Sequence, residues 1–185
     1  MRKTVAIDMD GVMYDLLTPW LKEYNEIFDD NLSVEEVVTY DLSKYTKCDR
    51  ESLCYILERP DFWDKIELYD GVYESIDRLN KSPKIDLVVA TATSYKTAIP
   101  KFKRVFELLP MLNEDNLIVT NRKDLLNVDI LVDDWENNLK KMAFWGNKSP
   151  ILITQNYNRT FPNTEYGIIR CGSLLEATNL ILKWK

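Results

Sequence analysis

Two aspartates with one residue between them, Asp8 and Asp10, close the short apolar run Thr4-Val5-Ala6-Ile7 and are followed by Gly11 and Val12. A β-compatible run ending in Asp-x-Asp-Gly reads as a buried strand whose carboxyl end opens into a turn at Gly11. In an extended chain, residues i and i+2 face the same side, so the two carboxylates can converge on one point. Like charges that close repel unless a proton or a cation lies between them. Near the interior, a hard divalent cation held by oxygen ligands, most naturally magnesium, relieves that repulsion. Asp and Gly also end strands for purely structural reasons, and the pair alone leaves both readings open.

Other strand ends add to the set. The run Ile85 to Thr91 ends on Thr91, and Val128 to Val132 leads into Asp133 and Asp134. Lys123 lies just past the short run Asn116 to Thr120. Taken singly, Thr91 could be an ordinary strand residue, Asp133-Asp134 a turn, and Lys123 beside Arg122 a solvated charge. A parallel sheet would bring all of them to one edge, and together they have a chemical logic. A metal held by Asp8 and Asp133 would screen an incoming phosphate dianion, and Asp8 could attack phosphorus as a carboxylate nucleophile. Asp10 would protonate the leaving oxygen and later take a proton from the hydrolytic water. Thr91 and Lys123 would bind the non-bridging phosphoryl oxygens.

Composition favours this chemistry over its rivals. The 185-residue chain contains no histidine. Ser-His-Asp and Cys-His hydrolases, histidine-ligated zinc sites and facial-triad iron sites are therefore excluded in their usual forms. A 45% hydrophobic, 29% charged chain with a formal charge of −6 suits a globular domain and argues against coating a nucleic-acid polymer. Cys48, Cys54 and Cys171 are scattered without metal-ligand spacing and read as free thiols of a reducing compartment. The apolar run behind Arg2 and Lys3 is too short for a signal peptide, and no apolar segment approaches the ~18 residues of a membrane span. No membrane partner and a cytoplasmic location are expected.

The elements that must position these residues follow from periodicity. Residues 18–28 predict a helix capped by Thr18, with Pro19 in its first turn and Leu21, Tyr24, Ile27 and Phe28 on one apolar face. Ser33-Val34-Glu35-Glu36 is a capping box opening a second short helix. Asp49 or Ser52 caps a third, with Leu53, Ile56 and Leu57 inward, ending before Pro60. Residues 16–70 thus read as a helical insertion after the first strand, a cap on a core built from residues 1–15 and 71–185. Beyond Gly71, apolar strands alternate with helices: Val72 to Leu79, Pro100 to Leu109, Glu136 to Phe144 and a last helix from the capping box Ser173-Glu176, with a further strand at Ile151 to Thr154. The fold class expected is α/β, a doubly wound, mainly parallel, Rossmann-like sheet that binds ligands at the carboxyl ends of its strands. Trp20, Phe62 and Trp63 of the cap could stack on a base or form cap core; Trp135 and Trp145, which flank a helix, read as core.

Asp8-Met9-Asp10-Gly11-Val12, Thr91 after Val88-Val89-Ala90, Lys123, and Asp133-Asp134 after Ile130-Leu131-Val132 resemble, in order and spacing, the four motifs of the haloacid-dehalogenase-like phosphatases. The Asp-x-Asp form is that of the magnesium-dependent phosphatases. Within them the chain is most similar to the 5'(3')-deoxyribonucleotidases, through Asp15, the ten-residue step from Lys123 to Asp133, and the return from cap to core at Arg59-Pro60-Asp61-Phe62-Trp63 through Leu68-Tyr69-Asp70-Gly71-Val72. The resemblance implies a helical cap and an aspartyl-phosphate mechanism with Asp8 as nucleophile and Asp10 as acid/base. It also implies Mg2+ on the Asp8 carboxylate, the Asp10 carbonyl and Asp133 with Asp134 close by, and phosphate on Thr91, the Ala92 N–H and Lys123. The expected substrate is a small phosphomonoester, a deoxyribonucleoside monophosphate, and a homodimer is compatible with the family. Ala92 stands where these enzymes usually place Ser, and Asn121-Arg122 where they tend to have Arg-Asp. A sugar phosphate or other small phosphometabolite is the alternative substrate. A receiver-like phosphate-binding domain fits less well, because receivers place their acid pair after the first strand.

Overall fold

The computed structural model describes residues 2–144 and 148–184; Trp145 lies outside them. Six strands form one all-parallel sheet in the order β3-β2-β1-β4-β5-β6, with β1 Lys3–Ile7, β2 Ile85–Thr91, β3 Leu117–Val119, β4 Ile130–Asp133, β5 Ser149–Ile153 and β6 Ile169–Cys171. The chain builds outward from β1 to β3 and then returns to the other flank of β1 with β4. The reversal of direction therefore lies between β1 and β4, where open α/β sheets leave a crevice at their carboxyl ends. Register fixes what meets there. Ile7 pairs with Val132 and with Val89. Asp8 and Asp133, one residue further on, therefore end level, and the Asp8 amide donates to the Val132 carbonyl at 2.9 Å.

The central strands are mostly apolar because both faces of the sheet are covered. Alternate residues divide between two cores. Val5, Ile7, Ile130, Val132, Ile151 and Ile153 face one side, with buried residues of α4 (Val72–Lys81), α5 (Ala98–Leu108) and α7 (Leu174–Lys183). Ala6, Leu131 and Leu152 face the other, against Leu139 and Met142 of α6 (Glu136–Ala143). The fold is the doubly wound α/β class expected from the alternation of elements. Sequence periodicity left β6 undetected, since Ile169-Arg170-Cys171 is three residues long with a charge at its centre.

Between β1 and α4 lie α1 (Leu17–Phe28), α2 (Arg50–Glu58), the single turn α3 (Pro60–Trp63) and 3-10 turns at Val34–Glu36 and Leu42–Lys44. Their buried side chains Leu21, Tyr24, Leu53, Ile56, Phe62 and Trp63 belong to the same hydrophobic cluster as Val5 and Ile7, so the insertion is packed continuously onto the sheet. Local details depart from the sequence reading. Helix α1 starts one residue before Thr18, whose amide is received by the Asp15 carboxylate at 3.1 Å. Ile27 is half exposed. The inward place is taken instead by Glu23, only 5% exposed, whose carboxylate pairs with Arg59 and Lys65. The capping box at Ser33 and Glu36 is present but opens a single 3-10 turn. Asp49 caps α2 by accepting from the Ser52 amide at 2.8 Å.

Candidate active site

The sheet edge gathers the chemistry. Asp8 follows the last residue of β1, Thr91 is the last of β2, Asp133 the last of β4, and Lys123 opens a 3-10 turn after β3. All four are buried, as is Asp134. The Lys123 Nζ bridges Asp8 Oδ2 at 2.6 Å and Asp133 Oδ2 at 2.8 Å. Asp133 is fixed further: it accepts from the Asn138 side chain at 3.0 Å and from the Trp135 amide at 2.8 Å. Among the residues weighed as site groups, Lys123 is where an isolated surface reading would have failed most clearly.

Electrostatics follow from burial. Desolvation raises the Asp8 carboxyl to about 7; Lys123 lowers it, while Asp133 and Asp10 raise it again. Asp134 is likewise held well above the ordinary carboxylate range, first by burial and then by Asp133 and Asp8. Burial works against the Lys123 ammonium, but Asp133 and Asp8 outweigh it and keep its proton bound above the usual lysine range.

Asp8, Asp133 and Asp134 offer carboxylate oxygens that lie within 4.8 Å of one another. Counting Asp10, four carboxylates face the two ammonium groups of Lys101 and Lys123. A cation among them would relieve the repulsion that helps raise Asp8 and Asp134, and an all-oxygen donor set suits a hard divalent one. The residues therefore fit a divalent metal.

Gly11 adopts φ 70°, in the left-handed region. A Cβ there would land on the Asp134 carboxylate and the Tyr157 hydroxyl, which are hydrogen-bonded to each other. The glycine is thus required both by its backbone angle and by the close approach of the metal-side acid. Gly11→Ala should lower stability by at least about 2 kcal/mol, read as a fall in the denaturant midpoint. An unchanged midpoint would show that the turn can relax away from Asp134.

The cap aromatics sit differently from an open stacking platform. Phe62 and Trp63 are 1% and 2% exposed and meet edge to face at 5.6 Å, and the Trp20 indole N–H donates to the Leu53 carbonyl at 3.0 Å. Trp135, read as core, is half-buried instead and stacks on Tyr40 at 4.8 Å, with Tyr157 edge-on to the same ring. Tyr40 is 51% exposed. These rings flank the acidic cluster, because Trp135 directly follows Asp134 and Tyr157 donates to it. Tyr40 gave no signal in the sequence beyond its place in a polar loop of the insertion.

The hydroxyl absent at Ala92 is not supplied by its neighbours. Thr93 Oγ1 and Ser94 Oγ are instead engaged with Thr97 Oγ1, at 2.7 and 3.1 Å. Arg122 pairs with Asp124 at the surface. A group missed in the sequence lies closer. Lys101 of α5, 2% exposed, places its Nζ 2.6 Å from Asp10 Oδ2, 2.8 Å from Thr91 Oγ1 and 3.3 Å from the Ala92 carbonyl. The available signal was its spacing: Lys101, Val105 and Leu109 stand at i, i+4 and i+8, and both apolar partners are buried. A lysine in a core stripe needs an anion as partner, and the half-buried Asp10 is that anion.

A model of the family described as 5' nucleotidase, deoxy (pyrimidine), cytosolic type C protein matches residues 2–185. The chain belongs to this nucleotidase family. It is thereby a phosphoric monoester hydrolase. A 5'(3')-deoxyribonucleotidase of Clostridium acetobutylicum is 29% identical over 160 residues, 86% of this chain and 86% of that protein. One of Bacillus subtilis is also 29% identical over 160 residues, 86% of this chain and 89% of its own. Among solved structures, a haloacid-dehalogenase-like hydrolase from Streptococcus pneumoniae superposes with a TM-score of 0.64 at 10% identity, covering 97% of this chain and 98% of that one. The chain thus has a haloacid-dehalogenase-like fold. No helix among the described residues is long and apolar enough to cross a membrane.

Proposed function

We propose that the protein is a magnesium-dependent phosphomonoesterase that dephosphorylates deoxyribonucleoside monophosphates through an aspartyl-phosphate on Asp8. The observation that carries this reading is the Lys123 bridge between Asp8 and Asp133 at the sheet edge, with Asp10 and Thr91 joined beside it through Lys101. Magnesium, held by the Asp8 carboxylate, the Asp10 carbonyl and Asp133 with Asp134 beside them, would screen the phosphate dianion and hold it for attack. Asp8 attacks phosphorus as the bond to the nucleoside oxygen breaks, and Asp10 delivers a proton to that oxygen. Asp10 then takes a proton from water, whose oxygen attacks phosphorus, releasing phosphate and freeing Asp8. Thr91, the Ala92 N–H and the Lys123 ammonium bind the non-bridging oxygens through both steps.

Residues 16–70 act as a cap over this edge. The Asn156 side chain ties the core to it, donating to the carbonyls of Val34, Glu35 and Val37 at 3.1, 2.8 and 3.2 Å. The half-exposed Tyr40 ring, backed by Trp135, gives a base a face to stack on, a contact of roughly 1–3 kcal/mol. The buried Phe62 and Trp63 hold the cap return in place. A nucleoside is favoured over a sugar phosphate by that aromatic rim and by the match to the nucleotidase family along residues 2–185.

The test is phosphate release from a panel of deoxyribonucleotides, ribonucleotides and sugar phosphates. Deoxyribonucleoside monophosphates should turn over fastest. Chelation should bring activity to background, and added Mg2+ should restore it. Retention of full activity in chelator, or a preference for sugar phosphates, would overturn the corresponding part of the reading.

A further inference from the structure

Asp10 must present one carboxylate oxygen to the leaving group and then to water, at the same point in space. Its side chain is 29% exposed and sits at the Gly11 turn, with the buried Tyr14 hydroxyl beside it. The contact that fixes it comes from another element. Lys101 Nζ takes Oδ2 at 2.6 Å and is itself anchored by Thr91 Oγ1 at 2.8 Å and the Ala92 carbonyl at 3.3 Å. Trp63 of the cap lies over the same ammonium, 5.8 Å from ring centroid to Nζ. The other oxygen, Asp10 Oδ1, is buried and has no hydrogen-bond partner among the described residues.

We propose that Lys101 is a positioning residue for the reaction, clamping Asp10 through Oδ2 so that its carboxylate is held in one orientation while it carries the proton in both steps. The clamp joins three parts of the fold. Helix α5 supplies the cation, the segment after β1 and the carboxyl end of β2 supply the groups it bridges, and α3 covers it with Trp63. Lys123, by contrast, binds Asp8 and Asp133, so the two lysines divide three carboxylates between the proton carrier and the nucleophile side. The inference rests on the phosphatase reading above.

A double-mutant cycle tests it, because a group acting only through a partner has no effect once the partner is gone. In the magnesium-loaded enzyme with a deoxyribonucleoside monophosphate, Lys101→Met should lower kcat about 30-fold with KM nearly unchanged, within the ~10²–10⁴-fold range of acid–base catalysis. In an Asp10→Asn background the same substitution should lower kcat by less than about 3-fold. Losses that multiply, or a KM that rises while kcat holds, would make Lys101 an independent phosphate ligand and overturn the proposal. Lys101→Gln, which keeps a donor, covers the case in which the Met variant fails to fold; failure of both would assign Lys101 to the core and equally overturn it. An inactive wild type would count against the phosphatase reading, whereas multiplying losses in an active one count only against the clamp.

Discussion

Asp8→Asn is expected to lower kcat by at least about 10⁴-fold with the fold intact, the size of effect seen when a nucleophile is removed. Asn has nearly the shape of Asp and no charge, so it keeps the side chain in place while replacing the nucleophilic carboxylate with a weakly nucleophilic amide. Stability should hold or rise. The Asp8 carboxyl is raised to about 7, first by burial, and by Asp133 and Asp10 against the pull of Lys123. A neutral amide relieves that strain, and Lys123 keeps Asp133 as its partner. Phosphate release and a denaturant melt on the same preparation check both halves. Activity within about 10-fold of wild type would show that phosphorus is attacked by something else.

Lys123→Met should be the most damaging single change to the folded state, costing about 3–5 kcal/mol, because removing one partner of a buried ion pair leaves uncompensated charge. Here it leaves two carboxylates, Asp8 and Asp133, with the second fully buried. Activity should fall by about 10²–10³-fold as well, as for the loss of one preorganised donor to the phosphoryl oxygens. Added Mg2+ should raise the denaturation midpoint of this variant more than that of wild type, since ligand binding to the folded state stabilises it by mass action. An unchanged midpoint without metal would mean that Lys123 contributes nothing net to the fold.

The legibility of this protein differs from residue to residue. Asp8, Asp10, Thr91 and Asp133-Asp134 could be read because each follows or closes an apolar run of at least three residues, and a parallel sheet sends every such end to one edge. The absence of histidine narrowed the chemistry before any element was assigned. Lys123 was visible by its place just past the run Asn116 to Thr120 and by its spacing to Asp133; its burial depends on where β3 falls beside β2. Lys101 and Tyr40 were hidden for opposite reasons. Lys101 occupies an apolar-stripe position that periodicity discounts as polar, and Tyr40 lies in a loop with no periodicity at all.

The start of α1 differs from the Thr18 cap because Asp15, three residues earlier, accepts the Thr18 amide in its place. The inward face of α1 was misjudged at Glu23 for a related reason, since the cations that make its burial tolerable, Arg59 and Lys65, come from 36 and 42 residues away. By itself the sequence determined the alternation of elements, the α/β class and the pair of aspartates at the first strand end, because these depend on local period and local chemistry. Only the tertiary structure decided that Lys101 clamps Asp10, that Gly11 must yield to Asp134 and Tyr157, and that Tyr40 and Trp135 form the aromatic rim. Those are contacts between segments far apart in the chain, set by strand order and by how the insertion packs on the sheet, and no local pattern encodes them.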